Sequence, residues 1–484
     1  MSRIENPMTT AAAAPVNQLI DPYTKTPIGA YPLESFSAAD TKISNARAAQ
    51  QRWQRLPIAR RRELFLDALQ YIDDNLDAHA SRISEEMFKP LGQARGELEA
   101  GVAKLRCIAD FAEAALQDTS VAANGKPFTF TMRRVAKGVI YTIAPWNYPF
   151  FTALNSIGPA LLAGNAVVLK HASTPSVGEL FERAFNTMGD ISGLCQNLSI
   201  DIATSNRVIL ESAIDHVVFT GSVTGGAAMA QLVGQRASNL TLREPFLQTS
   251  LELGGSDAAY VAADADPVKA AQMLISVGRL HNSGQSCCST KRLFLHQKVA
   301  PAFLAQAKVL MEKEVPGSPH DPAASMGPLF GGPQAMAGLM AMVNEAVAAG
   351  ARVVTGGEVV DKDGYSFIVP TLIADVNPQM RIMREEVFGP ILPVMVVADD
   401  DEALAHINHP LFGLTTAVFT DDAELQNRVI DAAQSGTVFI NWCNDVHAEV
   451  AWSGWGHSGN SMPALSALGF EALTRTQSIV TALA

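Results

Sequence analysis

Cysteine is scarce in this 484-residue chain, which has five: Cys107, Cys195, Cys287, Cys288 and Cys443. The odd count and irregular spacing give no disulfide framework, and a chain this long needs no covalent staples. There is no CxxC pair and no HExxH, so no metal site is expected. No apolar stretch reaches ~18 residues, and the opening MSRIENPMTT has no apolar core, so neither a membrane span nor a secretory leader is expected. A reducing cytoplasm is the expected location. Charge is also sparse at 17%, with 36 basic against 48 acidic residues and a net charge of −12. The longest basic run is Arg60-Arg61-Arg62, inside an amphipathic pattern that reads as a solvated helix face. An acidic chain of this kind is not expected to bind nucleic acid.

What is present is apolar surface. Hydrophobic residues make up 48% of the chain, enough to offset ordering entropy over its length. At roughly 150 residues per domain, about three units are expected. Residues 58–80 and 96–118 read as helices, the second with Leu98, Val102, Leu105, Ile108 and Ala112 at helical spacing. Beyond 125, short β-rich runs alternate with helices: Phe128–Met132, Val139–Ile143, Ala166–Leu169 and Val217–Thr220. A second alternation starts near Ser256. Strands alternating with helices predict an α/β fold with doubly wound parallel sheets.

Several segments carry chemistry. In Asn282-Ser283-Gly284-Gln285-Ser286-Cys287-Cys288, Gly284 permits a sharp turn and small neighbours leave a thiol accessible, so Cys287 is a candidate nucleophile. Taken alone it reads better as an inert buried cysteine; Cys288 is then a packing residue or a redox liability beside it. Leu251-Glu252-Leu253-Gly254-Gly255 puts a carboxylate at the end of an apolar strand, where poor solvation would make it a better base near neutrality. Ala144-Pro145-Trp146-Asn147-Tyr148-Pro149 holds an amide donor on a rigid turn, suited to an oxyanion. The ordinary dinucleotide fingerprint, GxGxxG between a strand and a helix, is missing. Phe219-Thr220-Gly221-Ser222-Val223-Thr224-Gly225-Gly226 stands in its place, a strand end and helix start whose free N–H groups suit a pyrophosphate. Lys170 ends a strand, and Glu385-Glu386-Val387-Phe388-Gly389-Pro390 offers a carboxylate beside an aromatic ring.

The motifs APWNYP, GNAVVLK, FTGSVTGG, LELGG, NSGQSC and EEVFGP follow one another from Ala144 to Pro390. In that order the chain resembles the aldehyde dehydrogenase superfamily, of the NAD(P)-dependent, acid-forming kind. The resemblance covers nearly the whole chain, with DPYTKTP near residue 21 similar to the family's N-terminal strand and turn. It implies a Rossmann-type cofactor domain from 1–117 and 137–252, an α/β catalytic domain from 253–445, and a β oligomerisation element from 118–136 with a C-terminal tail of 446–484. It implies that Cys287 is the nucleophile, Glu252 the general base and Asn147 the oxyanion donor. Trp146, Lys170, Ser173, Gly221, Ser222, Gly226, Glu386 and Phe388 match cofactor contacts. Tyr148, Asn155, Val446, His447 and Trp452 match the substrate tunnel.

Three departures stand out. After Lys170 the family often has Pro-x-Glu, whereas here the residues are His171-Ala172-Ser173. Loss of that carboxylate removes repulsion against a 2′-phosphate, and Ser173 can donate to one. NAD or NADP is therefore expected, with NADP accepted; His171 reads as exposed. The family's C-terminal PFGGxKxSGxGRE is replaced by Ala451-Trp452-Ser453-Gly454-Trp455-Gly456-His457-Ser458-Gly459-Asn460. The arginines that some relatives use for succinate semialdehyde look like Asn155 and His281 here. An apolar or aromatic aldehyde flanked by Tyr148 and Trp452 is the expected substrate, with a succinate-semialdehyde type as the alternative. The 125–143 stretch reads as a hairpin extending a sheet across subunits of a homodimer or homotetramer. Outside the family, a cysteine hydrolase pairing Cys287 with His281, or a retired binding scaffold, remain the rival readings.

Overall fold

The computed structural model describes residues 15–171 and 173–483. The Ala11–Ala14 run, the first residues of the expected cofactor domain and Ala172 lie outside the described residues. Val16–Ile20 and Pro27–Pro32 form an antiparallel ribbon. Its turn is set by Asp21, whose Oδ1 accepts from the Tyr23 and Thr24 amides at 2.8 and 3.2 Å, a local side-chain bond that replaces ladder bonds. Four helices follow: Phe36–Trp53, Ile58–Asp74, Leu76–Met87 and Leu91–Ala115. The expected 58–80 helix is thus two. It breaks at Asn75 (φ −117, ψ 15), whose amide donates to the Tyr71 carbonyl at 2.8 Å; asparagine competes for backbone groups in this way. The helix expected at 96–118 starts earlier, directly after Pro90. Its stripe Leu98, Val102, Leu105, Ile108 and Ala112 is fully buried, as the spacing predicts.

Two parallel sheets organise the rest. In the first, Gln248–Glu252, His216–Thr220, Val139–Ile143, Ala166–Lys170 and Cys195–Asn197 lie side by side. All four pairings are parallel. The second has seven strands, with Thr290–His296 between Ile391–Val397 and Asp257–Val261. Only its edge pair, Arg352–Thr355 with Thr371–Ala374, is antiparallel. Helices cover both faces, so strands such as Ala166–Lys170 and Thr290–His296 are buried at every residue. That is why they read as unbroken apolar runs rather than alternations. The four residues Leu253–Ser256 carry the chain from one sheet to the other.

The expected 125–143 hairpin is not one. Phe128–Ala136 pairs antiparallel with Thr474–Ala482 and with Thr119–Val121, in a separate three-stranded sheet. Val139–Ile143 enters the first parallel sheet instead. Lys137-Gly138 makes the turn between them, and Gly138 adopts φ +138, open to glycine alone at that crowded position beside Arg47 and Asp215.

Candidate active site

Parallel sheets present ligands at the carboxyl ends of their strands. Four adjacent strands of the first sheet end in, or lead directly into, sequence-predicted residues. Asn147 follows Val139–Ile143, Lys170 ends Ala166–Lys170, Gly221 and Ser222 follow His216–Thr220, and Glu252 ends Gln248–Glu252. Cys287 and Glu386 come just before two paired strands of the second sheet. The crevice between the sheets therefore collects residues far apart in sequence.

The loop that carries Cys287 is built by unusual backbone. A π-helical turn, Met273–Leu280, leads into it, and Asn282, Ser283 and Gly284 adopt φ +54, +53 and +72. Such conformations are costly for residues with a Cβ and persist only where the surroundings hold them. Here the Asn282 amide donates to the Asn147 carbonyl at 2.8 Å and the Ser283 hydroxyl to the Gly327 carbonyl at 2.7 Å. A Cβ on Gly284 would meet the Gly389 carbonyl.

Cys287, Glu252 and Asn147 line one cavity of about 340 Å³. The Asn147 Nδ2 donates to the Gln285 carbonyl at 3.1 Å, which uses one of its two hydrogens and leaves one free. Glu252 is half-buried, and its Oε1 is enclosed and unpartnered. Desolvation holds it well above the ordinary carboxylate range, and a hydrogen bond from the Trp452 side chain opposes that only in part. A hydrogen bond shared with Cys288, together with burial, holds Cys287 above the ordinary thiol range, while the Lys291 ammonium pulls it down. The Cys288 thiol also donates to Asn444 Oδ1 at 3.2 Å.

Of the expected tunnel residues, Tyr148, Asn155, Val446 and Trp452 line the same cavity. His447 does not. Its side chain is half exposed and turns to Asp445 at 3.4 Å. His171 is corrected as well. It is buried, its Nε2–H donates to the Pro149 carbonyl at 3.0 Å, and Nδ1 faces the Thr174 hydroxyl at 2.7 Å. Desolvation drops it to about 4, so it stays neutral.

Lys170 and Ser173 line a second cleft of about 770 Å³. Lys170 is buried and forms no ion pair within 4 Å among the described residues. Burial lowers its pKa, opposed by the charge of Asp201. Phe330 joins this cleft and stacks on Trp146 at 4.3 Å, with Phe388 edge-on to Trp146 at 5.8 Å. Ser222 caps the Val223–Arg236 helix by accepting from Gly225 N at 3.1 Å. Gly226 is a packing position, since a Cβ there would strike Leu253 at 2.6 Å. Glu386 accepts from Gly255 N at 3.0 Å.

Three supports escaped sequence reasoning. Lys291 is fully buried and donates to the carbonyls of Ser286 and Cys287 at 2.8 and 2.6 Å. Its signal was a lysine entering an apolar strand four residues after the thiol. Arg279, also buried, donates to the Val387 carbonyl at 2.7 Å and to that of Gly389, tying the Glu386 loop to the segment that leads to Cys287. Glu97 accepts from Phe150 N and Phe151 N at 2.9 and 3.2 Å and pairs with Lys89 at 2.5 Å. It thereby anchors the helix that follows Asn147. The aberrant C-terminal motif now has a role. Gly459 bridges Glu252, the Leu253 amide donates to the Ser458 carbonyl at 2.9 Å, and Asn460 Oδ1 accepts from Leu251 N at 3.0 Å. Gly454–Gly459 spells GxGxxG, yet it buttresses this strand rather than turning from strand to helix.

Two parallel sheets with a thiol, a carboxylate and an amide gathered in the crevice between them define a dehydrogenase of the aldehyde-oxidising class. The aldehyde dehydrogenase family model matches residues 9–479, and the chain belongs to that family. It is 32% identical over 442 residues to succinate-semialdehyde dehydrogenase [NADP(+)] of Deinococcus radiodurans, covering 91% of this chain and 90% of that protein. It superposes on lactaldehyde dehydrogenase from Escherichia coli with a TM-score of 0.88 at 27% identity, covering 97% of this chain and 96% of that one. NADP-dependent glyceraldehyde-3-phosphate dehydrogenase from Bacillus halodurans, solved with NADP, matches with a TM-score of 0.86 at 28% identity, covering 96% of each chain.

Proposed function

We propose that this enzyme oxidises an aldehyde to a carboxylic acid through a covalent adduct on Cys287, with NAD or NADP and with NADP accepted. The observation that carries the reading is the convergence of Cys287, Glu252 and Asn147 on one cavity. The residues fit a dinucleotide. Lys170 is a buried ammonium without an ion pair among the described residues, Ser173 lines the same cleft, and the N-cap Ser222 of the Val223–Arg236 helix is exposed to solvent. Lys170, Ser173 and the Gly221-Ser222 turn would hold the phosphates and ribose, with Trp146, Glu386 and Phe388 nearer the chemistry. The acids of the cleft, Glu86 and Asp201, are engaged by Ser176 and by Thr204 N. The chemistry a nicotinamide supplies there is a hydride acceptor.

The chain's own residues do the rest. A Cys287 thiol held above its ordinary range needs a base, and Glu252 is kept basic by burial in the same cavity. The thiolate adds to the carbonyl carbon, and the free Asn147 hydrogen meets the oxyanion, a donor worth about 3 kcal/mol in such sites. Oxidation of the adduct leaves a thioester on Cys287. Glu252 takes a proton from water, which attacks the thioester and releases the acid. The cysteine-hydrolase alternative is weak: His281 Nδ1 is taken by the Tyr148 hydroxyl at 2.6 Å.

The proposed assembly is a homodimer or homotetramer. Thr474–Ala482 is a nine-residue edge strand with Ile479, Val480 and Leu483 exposed around it, the kind of edge that a second copy covers. Among the described residues no helix is long and apolar enough to cross a membrane, and a cytoplasmic location is part of this reading. The test is reduced-nicotinamide formation by purified protein with a panel of aldehydes and each cofactor. Activity that Cys287→Ala abolishes supports the reading; full activity in that variant refutes it.

A further inference from the structure

The same cavity holds a cation that the mechanism does not use. Lys104 lines it from the Leu91–Ala115 helix, opposite the Pro149–Leu162 helix. Its Nζ rests 4.5 Å over the Phe151 ring. Among the described residues it has no carboxylate within 4 Å and no hydrogen-bond partner. Phe151 and Asn155 are one turn apart on the facing helix and share its face toward the cavity. The Asn155 side chain has no hydrogen-bond partner among the described residues, its Oδ1 included, so its Nδ2 hydrogens are free to donate to an anion. Asp445 also lines the cavity, and its charge and that of Glu449 support the ammonium without touching it. Asp445 accepts from Val446 N at 2.8 Å and from Trp442 Nε1 at 3.3 Å, and Glu449 accepts from the Cys107 thiol at 3.5 Å. Burial pushes the ammonium down to about 8, so it remains charged at neutral pH with only partial compensation.

A half-buried ammonium with no carboxylate in contact, lining a cavity, favours an anionic group that completes it. We infer that Lys104, with the Asn155 amide lining the same cavity, is the specificity-determining anchor for a substrate that carries a carboxylate at the end remote from its aldehyde. The inference rests on the dehydrogenase reading and names its substrate class. It revises the expected apolar or aromatic aldehyde, and it assigns the anion-binding role to a lysine on a different helix from the two positions, Asn155 and His281, where arginines are absent. One ammonium matches one carboxylate; the cavity holds no second free cation, among the described residues, to match a doubly charged group.

The test compares acid and neutral partners of equal chain length: succinate semialdehyde with butanal, and glutarate semialdehyde with pentanal. The wild-type enzyme should prefer one of the acids over its neutral partner. Lys104→Met keeps the stem over Phe151 and removes the charge. It should lower the acid-to-neutral ratio of kcat/KM by about ten- to a hundred-fold, the loss expected for a charge-assisted contact, and chiefly through KM. Lys104→Arg should restore part of the preference. A ratio that Lys104→Met leaves unchanged, in an enzyme that still oxidises neutral aldehydes, overturns the anchor and leaves the dehydrogenase reading intact. Wild-type protein that oxidises no aldehyde at all overturns the reading itself, and the anchor with it.

Discussion

At the residue scale, the site works by holding groups in protonation states that water would not favour. Glu252 is the clearest case. Its folded pKa is raised, so the folded state holds the proton more tightly than the unfolded chain does. Stability is therefore lost as pH rises from the ordinary carboxylate range through the folded value. Glu252→Gln removes that loss, and we expect its Tm to exceed the wild type's most clearly on the alkaline side, while steady turnover collapses. Equal melting temperatures across the pH range would contradict the burial argument. Cofactor choice rests on another single residue. Ser173→Glu restores a carboxylate beside Lys170 and should reduce kcat/KM with NADP by at least about ten-fold, with NAD little affected, since one like-charge contact outweighs one hydrogen bond. An unchanged NADP/NAD ratio would remove Ser173 from the account. Lys291 carries a structural load: replacing it with Met strands the Ser286 and Cys287 carbonyls. Denaturant unfolding should show a loss of about 2–4 kcal/mol, the usual range for buried groups left unpaired.

At the element scale, the strand that carries Glu252 is held in place by the tail. Asn460 bonds both Leu251 N and the Thr249 carbonyl, at 3.0 and 2.8 Å. Asn460→Ala should cost about 1–2 kcal/mol and lower kcat with every aldehyde alike, because it loosens the base rather than the tunnel. A substrate-dependent effect would argue against that role. The elements themselves were legible where burial is two-sided, for example Ala166–Lys170 and Val217–Thr220, whose unbroken apolar runs leave no competing period. They were less so where a side chain intervenes in the backbone. Asn75 divides a helix that the apolar pattern alone would continue, and the π-turn at Met273–Leu280 keeps a helical pattern while changing its hydrogen bonds. Cys287, Glu252 and Asn147, which meet in one cavity, were singled out by motif order, not by any one motif. His171 was misplaced because the exposure of a loop residue depends on partners remote in sequence, here the Pro149 carbonyl, which no local pattern encodes; His447 turns instead to its near neighbour Asp445. Lys104 escaped notice for a similar reason, since a lysine on an amphipathic helix looks solvated until the facing helix is known.

At the scale of the whole molecule, two properties follow from burial. His171 and His281 are held near 4 by desolvation, below the ordinary 6.5. The unfolded chain takes up protons in that window and the folded state does not. Stability should fall as pH drops from about 6.5 toward 4, read as a falling urea midpoint; a midpoint constant through the window would contradict it. The exposed Thr474–Ala482 edge implies association. Sedimentation at micromolar concentration should show no monomer, and a monomeric protein would refute the proposed assembly.

The central claim is that chemistry passes through a covalent bond to Cys287 that Glu252 resolves. Mixing Glu252→Gln enzyme with NADP and a good aldehyde tests it in one step, read by absorbance and by peptide mass. The account expects a burst of about one reduced nicotinamide per site, then little turnover, and an acyl mass on the peptide containing Cys287. Steady turnover without a burst, or a burst with Cys287 unmodified, would contradict it.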